Sequence, residues 1–427
     1  MSNYTATVVK IDNIRDHSNA DRLSCTNLFG NNVIISKDTQ IGDIGLFFPL
    51  ESQLSEEFAT ANDLIRRKDE NGNVVGGMFE QNRRVKACTL RGEKSMGFYA
   101  PISSLEKVFA DANKEMPIVK IGQEFEEIDG VKICCKYIIP TKKQQCSTAK
   151  SKKSKKPRES RIIEGQFAFH FDTAQLAKNL HKVKLDSLVA ITWKMHGTSA
   201  IFSNCLVKKK LGWYEKILKA FGVNIIDTEY DHIFSSRKVI KNGLVGCEGF
   251  YGEDIWSDAG KHFVNRLHKG ETVYAEIVGY TPGGKMIQKD FDYGCKPGEY
   301  KIYIYRITQT NMDGVVTELP WHQVVHRAIE IGFEATPTIY YGKVKDHFNM
   351  LDCNSMENYF ELLQNHYVYD QDSQFCKNKV PEEGIVVRIE LGDGIENLKL
   401  KSFAFLGHES KMLDSGEADM ESEESEE

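Results

Sequence analysis

The stretch LVAITWKMHG, at residues 188–197, joins an apolar run to a lysine and a glycine. Leu188–Trp193 is short, mostly apolar and partly β-branched, which predicts a buried β-strand that ends at Lys194. Burial of an ammonium group is unfavourable, and desolvation lowers its pKa. The sequence therefore predicts a neutral, nucleophilic amine at Lys194, with Gly197 allowing the backbone to approach a bound group closely. A surface lysine after a strand is the alternative.

Isolated charged side chains recur in later apolar segments. Glu276 lies inside a predicted apolar strand, and Glu383 precedes a glycine and another apolar strand. Lys399 and Lys401 alternate with leucines, so both ammonium groups are expected on one face of a strand and the leucines on the core face. Two lysines on one sheet face suit a triphosphate.

An arginine and two tyrosines complete this set. Arg237 follows two serines, and Tyr303 and Tyr305 lie two residues apart in a predicted strand. Residues two apart on a strand share a face, so both rings are available to stack on a purine. Each of these residues, taken alone, is more often structural.

The order lysine, arginine, glutamate, aromatic, glutamate, Lys-x-Lys resembles motifs I, Ia, III, IIIa, IV and V of the covalent nucleotidyltransferases, the superfamily of ligases and capping enzymes. The resemblance spans roughly residues 167–405. It implies that Lys194 carries AMP and that Glu383 lies near a Mg2+ or Mn2+ ion, through water. The residues that it implies for ATP binding are Thr192, Gly197, Arg237, Glu276, Tyr305, Lys399 and Lys401.

Features outside the six motifs indicate the branch of the superfamily. Only 26 residues follow Lys401, too few for the OB domain that DNA ligases and capping enzymes usually carry there. His196 stands where DNA ligases typically have Asp, as in RNA ligases. Segments 169–173, 213–216 and 229–231 resemble the RNA-ligase family whose OB module is N-terminal.

The resemblance implies an ATP-dependent RNA ligase that seals RNA 5′-phosphate and 3′-hydroxyl ends through a lysyl-AMP and an adenylated RNA. A DNA ligase, a GTP-dependent capping enzyme and an RNA-binding protein without activity stay open as alternatives.

We predict an α+β fold with an N-terminal OB-like β-barrel and a nucleotidyltransferase domain with antiparallel sheets. The predicted domains are an OB-like nucleic-acid-binding module (1–140), a basic flexible linker (141–163), an adenylyltransferase domain (164–408) and an acidic disordered tail (409–427). Residues 142–161 hold nine Lys or Arg and one acid, a composition that cannot bury a core. The linker is either a solvated connection or a phosphate contact.

Short β-like runs separated by Gly and Asn predict the N-terminal barrel. These runs are Thr5–Ile11, Val33–Ser36, Ile44–Leu50, Arg84–Thr89 and Gly97–Pro101. A group of cations, here called the basic strip, surrounds one predicted strand and turn: Arg83, Arg84, Lys86, Arg91 and Lys94. The strip predicts RNA contact, with a basic surface strand as the alternative.

In the second domain, patterns predict helices at 172–180, 213–221, 321–332 and 356–366, and strands at 188–193, 273–280, 300–308, 384–390 and 397–403. Asp172 or Thr173 is expected to cap the first helix. Residues 279–285 match the first seven positions of a P-loop. Met286 replaces the required Ser or Thr, so we expect a Gly-rich turn instead.

The net charge of -6 is unevenly distributed. Residues 409–427 hold nine acids and one lysine, a local charge of -8, so the rest of the chain is near +2. The ten cysteines include no CxxC pattern, and neither a signal-peptide core nor a membrane-length apolar run is present. These features predict a monomeric protein of the cytoplasm or nucleus, without membrane contact.

Overall fold

The architecture comes from a computed structural model, which describes residues 4–69, 72, 74–138, 161–170, 173–241, 253–352, 355–392 and 394–414. Residues 141–160 of the predicted linker, Asp172 and residues 415–427 of the predicted tail lie outside the described residues. No helix within the described ranges has the length and apolar character needed to cross a membrane.

The described N-terminal region consists of short strands and two helices around a main apolar core, with a second, smaller apolar cluster. Its strands are β1 (Ala6–Lys10), β2 (Arg15–Asp16), β3 (Leu23–Leu28), β4 (Asn31–Ser36), β5 (Ile44–Phe48), β6 (Ser52–Leu54), β7 (Arg67–Lys68), β8 (Val74–Gly76), β9 (Cys88–Leu90), β10 (Glu93–Ser95), β11 (Phe98–Pro101), β12 (Glu124–Phe125), β13 (Glu127–Ile128), β14 (Val131–Lys132) and β15 (Cys134–Lys136). Helices α1 (Glu56–Ala61) and α2 (Ser103–Asp111) bury Phe58, Leu105 and Phe109 in this core. The main sheet has the order β11-β5-β1-β12.

The predicted OB-like barrel is not confirmed. Within the described residues, the N-terminal strands form six separate small sheets and no closed barrel. Side chains replace a ladder between β4 and β10: Asn32 Nδ2 donates to the Lys94 carbonyl, and Ser95 Oγ accepts from the Ile34 N–H at 3.1 Å. The Met96 N–H also donates to the Asn32 carbonyl at 2.8 Å, so side-chain bonds and this backbone bond join the two segments in place of a regular ladder.

The second region contains two larger, mostly antiparallel sheets. The five-stranded sheet has the order β16-β26-β25-β17-β24, from β16 (Ala174–Gln175), β17 (Leu188–Trp193), β24 (Thr338–Lys343), β25 (Gly384–Leu391) and β26 (Gly394–Lys401). The six-stranded sheet has the order β19-β18-β20-β21-β22 with β23 on β21, from β18 (Thr198–Lys208), β19 (Thr228–Ser235), β20 (Glu271–Gly279), β21 (Tyr300–Thr310), β22 (Val316–Glu318) and β23 (Glu334–Ala335). The mixed α/β class with antiparallel sheets is therefore confirmed.

Helices cover one face of each large sheet. They are α3 (Trp213–Ala220), α4 (Ile255–Gly260), α5 (Trp321–Glu330), α6 (Met356–Leu363) and α7 (Phe403–Asp414), with 3-10 or π turns at Ala177–Lys182, Lys261–Phe263, Val344–Asp352 and Gln364–Val368. Helices α4 and α5 pack on the six-stranded sheet, and α6 packs on the five-stranded sheet. Because β17 ends at Trp193 and β18 begins at Thr198, residues 194–197 cross from one sheet to the other.

Three sequence predictions are wrong in detail. The helix predicted at 172–180 does not form over its described residues, 173–180, because Ala174 pairs with Leu398 in the sheet and a 3-10 turn follows. Arg84 lies outside any strand and makes only an isolated bridge with Gln53. The acidic tail does not begin at Glu409: α7 continues to Asp414, and its last turns contact Lys401, Arg84 and Lys86 through Glu409, Ser410 and Asp414.

Candidate active site

Lys194 lies where the two large sheets meet. Its backbone N–H donates to the Gly384 carbonyl at 2.9 Å, which holds the end of β17 beside the start of β25. Its Nζ atom lies 2.7 Å from Glu383 Oε1, and its side chain keeps 25% exposure. A carboxylate at this distance stabilises the ammonium form. The structure therefore favours a charged lysine in an ion pair over the neutral amine that the sequence predicted.

Glu383 is the most enclosed group of the site. Its residue is 2% exposed, and burial raises the pKa of its carboxyl against the opposing effects of Lys194 and Lys401. Its neighbour Glu382 is equally buried, and desolvation raises its pKa to about 7. Among the described residues, the Oε2 atoms of both carboxyls are buried without a hydrogen-bond partner.

Lys401 supplies a second ammonium group. Its Nζ lies 3.0 Å from Glu409 Oε1 and 3.9 Å from Glu383 Oε1. Burial lowers its pKa, but the attraction of Glu409 and Glu383 is larger and leaves the pKa above its ordinary value. Four alternating charges, Lys194, Glu383, Lys401 and Glu409, thus form one partly buried chain, here called the lysine cluster.

Lys399 and Thr192 lie on the same face of the five-stranded sheet as Lys401. Thr192 pairs with Val386, which pairs with Lys399, while Leu398 and Leu400 enter the apolar core on the other face. The alternation predicted for the Lys-x-Lys strand is confirmed. The roles of Thr192 and Lys399 toward a nucleotide stay predictions.

Gly197 is packed too closely for any side chain. A Cβ atom there would lie 2.2 Å from the Ile277 carbonyl oxygen and 2.7 Å from Val278 Cγ1. The Gly197 N–H donates to Glu276 Oε1 at 3.0 Å, and its carbonyl accepts from Gln288 Nε2 at 2.7 Å. The close contact explains the glycine and joins the residues after Lys194 to the predicted Glu276.

Tyr303 and Tyr305 both lie on the sheet face that carries Glu276, across a bulge in β21. Tyr303 pairs directly with Glu276 and is 5% exposed within an apolar cluster. Tyr305 is half-buried; its hydroxyl lies 3.2 Å from Ser199 Oγ, and the His170 ring meets its ring edge-on at 5.3 Å. Tyr305 therefore has the more accessible ring, which is consistent with its predicted stacking role.

Arg237 lies in a tight turn. It follows β19 in a turn closed by the Ser236 N–H and the Val239 carbonyl at 2.9 Å, and it is half-buried. Its assignment to ATP or the RNA end stays a prediction. Residues 279–285 form a tight turn in which the Thr281 N–H donates to the Lys285 carbonyl at 2.7 Å, and turns follow it, which confirms the rejection of a P-loop.

Sequence reasoning missed several groups of the site. Tyr293 Oη accepts a hydrogen bond from the His196 backbone N–H at 2.6 Å. The His196 ring contacts Phe291 and Phe405 edge-on, with ring centroids 4.7 and 4.8 Å apart. Glu409 was assigned to the acidic tail. The apolar residues that precede it in FAFLGHE, residues 403–409, were the available signal for a packed helix.

Solved structures of an RNA ligase share this fold over nearly their whole length. A mutant of Naegleria gruberi RNA ligase with AMP and Mn has a TM-score of 0.58 and 17% identity, covering 95% of this chain and 98% of that chain. A mutant with ATP and Mn has a TM-score of 0.58, 16% identity and coverages of 95% and 99%. The same ligase with PPi has a TM-score of 0.58, 17% identity and coverages of 95% and 98%. No protein-family model and no curated protein matches the chain.

Proposed function

We propose that this protein is an ATP-dependent RNA ligase that carries AMP on Lys194. The observation that supports it most is the lysine cluster: a strand-end lysine ion-paired at 2.7 Å with a buried glutamate, beside a second lysine from the Lys-x-Lys strand. The fold shared with Naegleria gruberi RNA ligase adds support.

In the first step, Lys194 Nζ loses a proton and attacks the α-phosphorus of ATP. A phosphorus–nitrogen bond forms, the bond to the bridging oxygen breaks, and pyrophosphate leaves. AMP then passes to an RNA 5′-phosphate, and a 3′-hydroxyl displaces AMP to seal the strand. Such transfers depend mainly on in-line positioning and on neutralising phosphate charge.

The surrounding residues suit the binding of the nucleotide. Lys401 and Lys399 offer ammonium groups to the phosphates, and Glu276 can accept a hydrogen bond from the ribose. We assign adenine stacking to Tyr305. Arg237, Thr192 and Gly197 complete the proposed ATP-binding set.

Glu383 fits a Mg2+ or Mn2+ ion. Its buried Oε2 atom has no hydrogen-bond partner among the described residues, and hard cations prefer carboxylate oxygens. No group of three or more His, Cys, Asp or Glu side chains suited to a metal occurs within the described ranges. Glu383 would therefore hold the ion with water, and the ion would neutralise phosphate charge. Lys194 and Lys401 meanwhile keep the carboxylate oriented.

Incubation of the full chain with α-labelled ATP or GTP and magnesium, followed by a denaturing gel, tests the proposal. We expect an acid-labile adduct with ATP only, located on Lys194. Labelling with GTP instead would indicate a capping enzyme. Joining assays on nicked duplexes with RNA or DNA at the 3′-hydroxyl side separate an RNA ligase from a DNA ligase, and the absence of any adduct would contradict the proposal.

A further inference from the structure

Helix α7 connects the lysine cluster to the N-terminal region. Phe405 and Glu409, four residues apart, face the site: Phe405 packs on the His196 ring, and Glu409 binds Lys401. Ser410 and Asp414, also four residues apart, face the N-terminal region. Since residues four apart share a helix face, α7 has one face for each region.

On the N-terminal side, α7 meets a buried arginine. The Arg84 side chain is 0% exposed; its Nη2 atom lies 2.9 Å from Glu51 Oε1 and 3.3 Å from Ser410 Oγ. Among the described residues, Arg84 Nε and Nη1 have no hydrogen-bond partner. Within the described residues, the guanidinium hydrogen-bonds to Glu51 and to Ser410 of α7, and it also lies over the Tyr137 ring, 5.2 Å from the ring centroid. Burial of an ion pair is otherwise costly.

The backbone adopts unusual conformations at Glu51 and next to Arg84. Glu51 has a φ of 66°, and Arg83, next to Arg84, has a φ of 54°. Residues other than glycine rarely adopt this left-handed region. The Glu51 N–H donates to the Val85 carbonyl at 3.0 Å, which keeps the two segments together. Unfavourable backbone conformations of this kind persist where the surrounding structure requires them.

The basic strip is therefore not a free surface for RNA. Arg84 is buried, Lys86 is ion-paired with Asp414 of α7 at 2.7 Å, and Lys94 is ion-paired with Asp370. Three of the five cations that the sequence assigned to RNA instead contact the second region of the chain.

We propose that Arg84 and Glu51 are positioning residues for the adenylation of Lys194. Through Ser410 they hold α7 so that Glu409 binds Lys401, and Lys401 in turn is held beside Glu383 and Lys194. The N-terminal region thus sets the geometry of the first chemical step. This inference rests on the proposed function, because it concerns the rate of that same step.

The test compares Arg84→Met with Lys86→Met in the full chain. Both cations belong to the N-terminal region and both contact α7, but only Arg84 is buried. Single-turnover formation of the Lys194 adduct is measured over a range of ATP concentrations. We expect Arg84→Met to lower the maximal rate about 10- to 100-fold, as for a misplacement of the order of 1 Å. The ATP concentration for half-maximal rate should change by less than about threefold, because ground-state binding is retained.

A double variant, Arg84→Met with Glu51→Leu, separates positioning from a buried unpaired charge. Replacing both members of a buried ion pair with apolar residues is often neutral for stability, so this protein should stay folded even if the single variant does not. We expect the double variant to remain slow, since the guanidinium that contacts Ser410 is then absent, while Lys86→Met stays within about twofold of the unaltered protein.

Three results would overturn the inference while the unaltered protein still forms the adduct. The first is full recovery of the maximal rate of adduct formation in the double variant. The second is equal maximal rates for Arg84→Met and Lys86→Met. The third is a change in the ATP concentration for half-maximal rate while the maximal rate stays the same. A loss of RNA sealing with normal adduct formation falls under the second result and would make the region an RNA-binding module only. Failure of the unaltered protein to form any adduct would instead contradict the proposed function.

Discussion

Two charge clusters of the second region differ in the kind of cation they contain. The lysine cluster joins Lys194 and Lys401 to Glu383 and Glu409 at the junction of the sheets. The other, here called the arginine cluster, joins Arg388 and Arg306 to Glu318, with Nη1–Oε1 and Nε–Oε2 distances of 2.8 and 2.7 Å.

The arginine cluster binds three strands together. Arg388 lies on β25, Arg306 on β21 and Glu318 on β22, so it links the two large sheets, and Arg388 Nη2 also donates to the Leu319 carbonyl at 2.5 Å. A guanidinium keeps its proton and offers several donors in one plane, which suits a permanent link.

A lysine ammonium has different chemistry. It can lose a proton and become a nucleophile, and its single nitrogen lies at the end of a flexible chain. Burial and ion pairing alone therefore do not identify an active site. The lysine cluster differs from the arginine cluster because it contains an amine, that of Lys194, that can form a covalent bond. It also contains carboxylates of the kind that bind a metal.

The largest difference between the clusters should appear when Lys194 is removed. Lys194→Ala should abolish the covalent adduct, because no other amine lies in its position at the end of β17. Labelling on a denaturing gel measures it. Lys285→Ala, in the Gly-rich turn, is the matched control and should keep substantial labelling. Label that survives Lys194→Ala would show that another residue carries the nucleotide.

Removal of a lysine that contacts the phosphates should slow the adduct strongly without abolishing it. For Lys399→Ala or Lys401→Ala we expect about a 100- to 1,000-fold slower rate, if the lost contact is comparable to one oxyanion-hole donor. Single-turnover labelling, corrected for the folded fraction, measures it. Lys345→Ala removes an exposed ion pair with Asp186 and serves as the control. Normal rates for both variants would show that this strand does not face the triphosphate.

Disruption of the arginine cluster should affect stability and leave the chemistry intact. Arg388→Met removes one partner of a buried ion pair and leaves Glu318 less compensated, so we expect the free energy of unfolding to fall by about 3–5 kcal/mol. Denaturant unfolding measures this change, and labelling per folded molecule should match the unaltered protein. A slowed adduct in the folded fraction would mean that the two clusters are coupled.

The smallest effect is expected at Arg91, which is exposed at the turn between β9 and β10. If it contacts an RNA phosphate, Arg91→Ala should lower the slope of log affinity against log salt by about 0.7–0.9. A titration of RNA binding over a range of salt concentrations measures the slope, with Lys86→Met as control because Lys86 is held by Asp414. An unchanged slope would mean that Arg91 does not contact RNA.

Short-range sequence patterns were sufficient to predict several strands of the second region. Leu188–Trp193 and Gly384–Leu391 follow from apolar runs, and the Lys-x-Lys strand follows from two-residue alternation. These predictions hold because side chains alternate across a strand wherever it lies. Asp313 and Gly314 lie in the turn between β21 and β22, where glycine accepts a positive φ of 83°.

Predictions that depended on distant partners were less accurate. The segment 172–180 has helical periodicity, yet Ala174 pairs with Leu398, more than two hundred residues later. Arg84 and Lys86 have the same local composition as RNA-binding strands, yet each also contacts a residue of α7, Ser410 for Arg84 and Asp414 for Lys86. Local sequence carries no information about which distant surface will cover a cation.

The sequence by itself determined several strands of the second region, the strand-end position of Lys194, and the spacing of the lone charges that follow it. Those features depend on local periodicity and on the chemistry of single residues. Only the tertiary structure decided that Lys194 is ion-paired, that Glu409 belongs to the site, and that Arg84 is buried against α7. The physical reason is that charge pairing and burial depend on segments far apart in the chain, which come together only when the two regions pack.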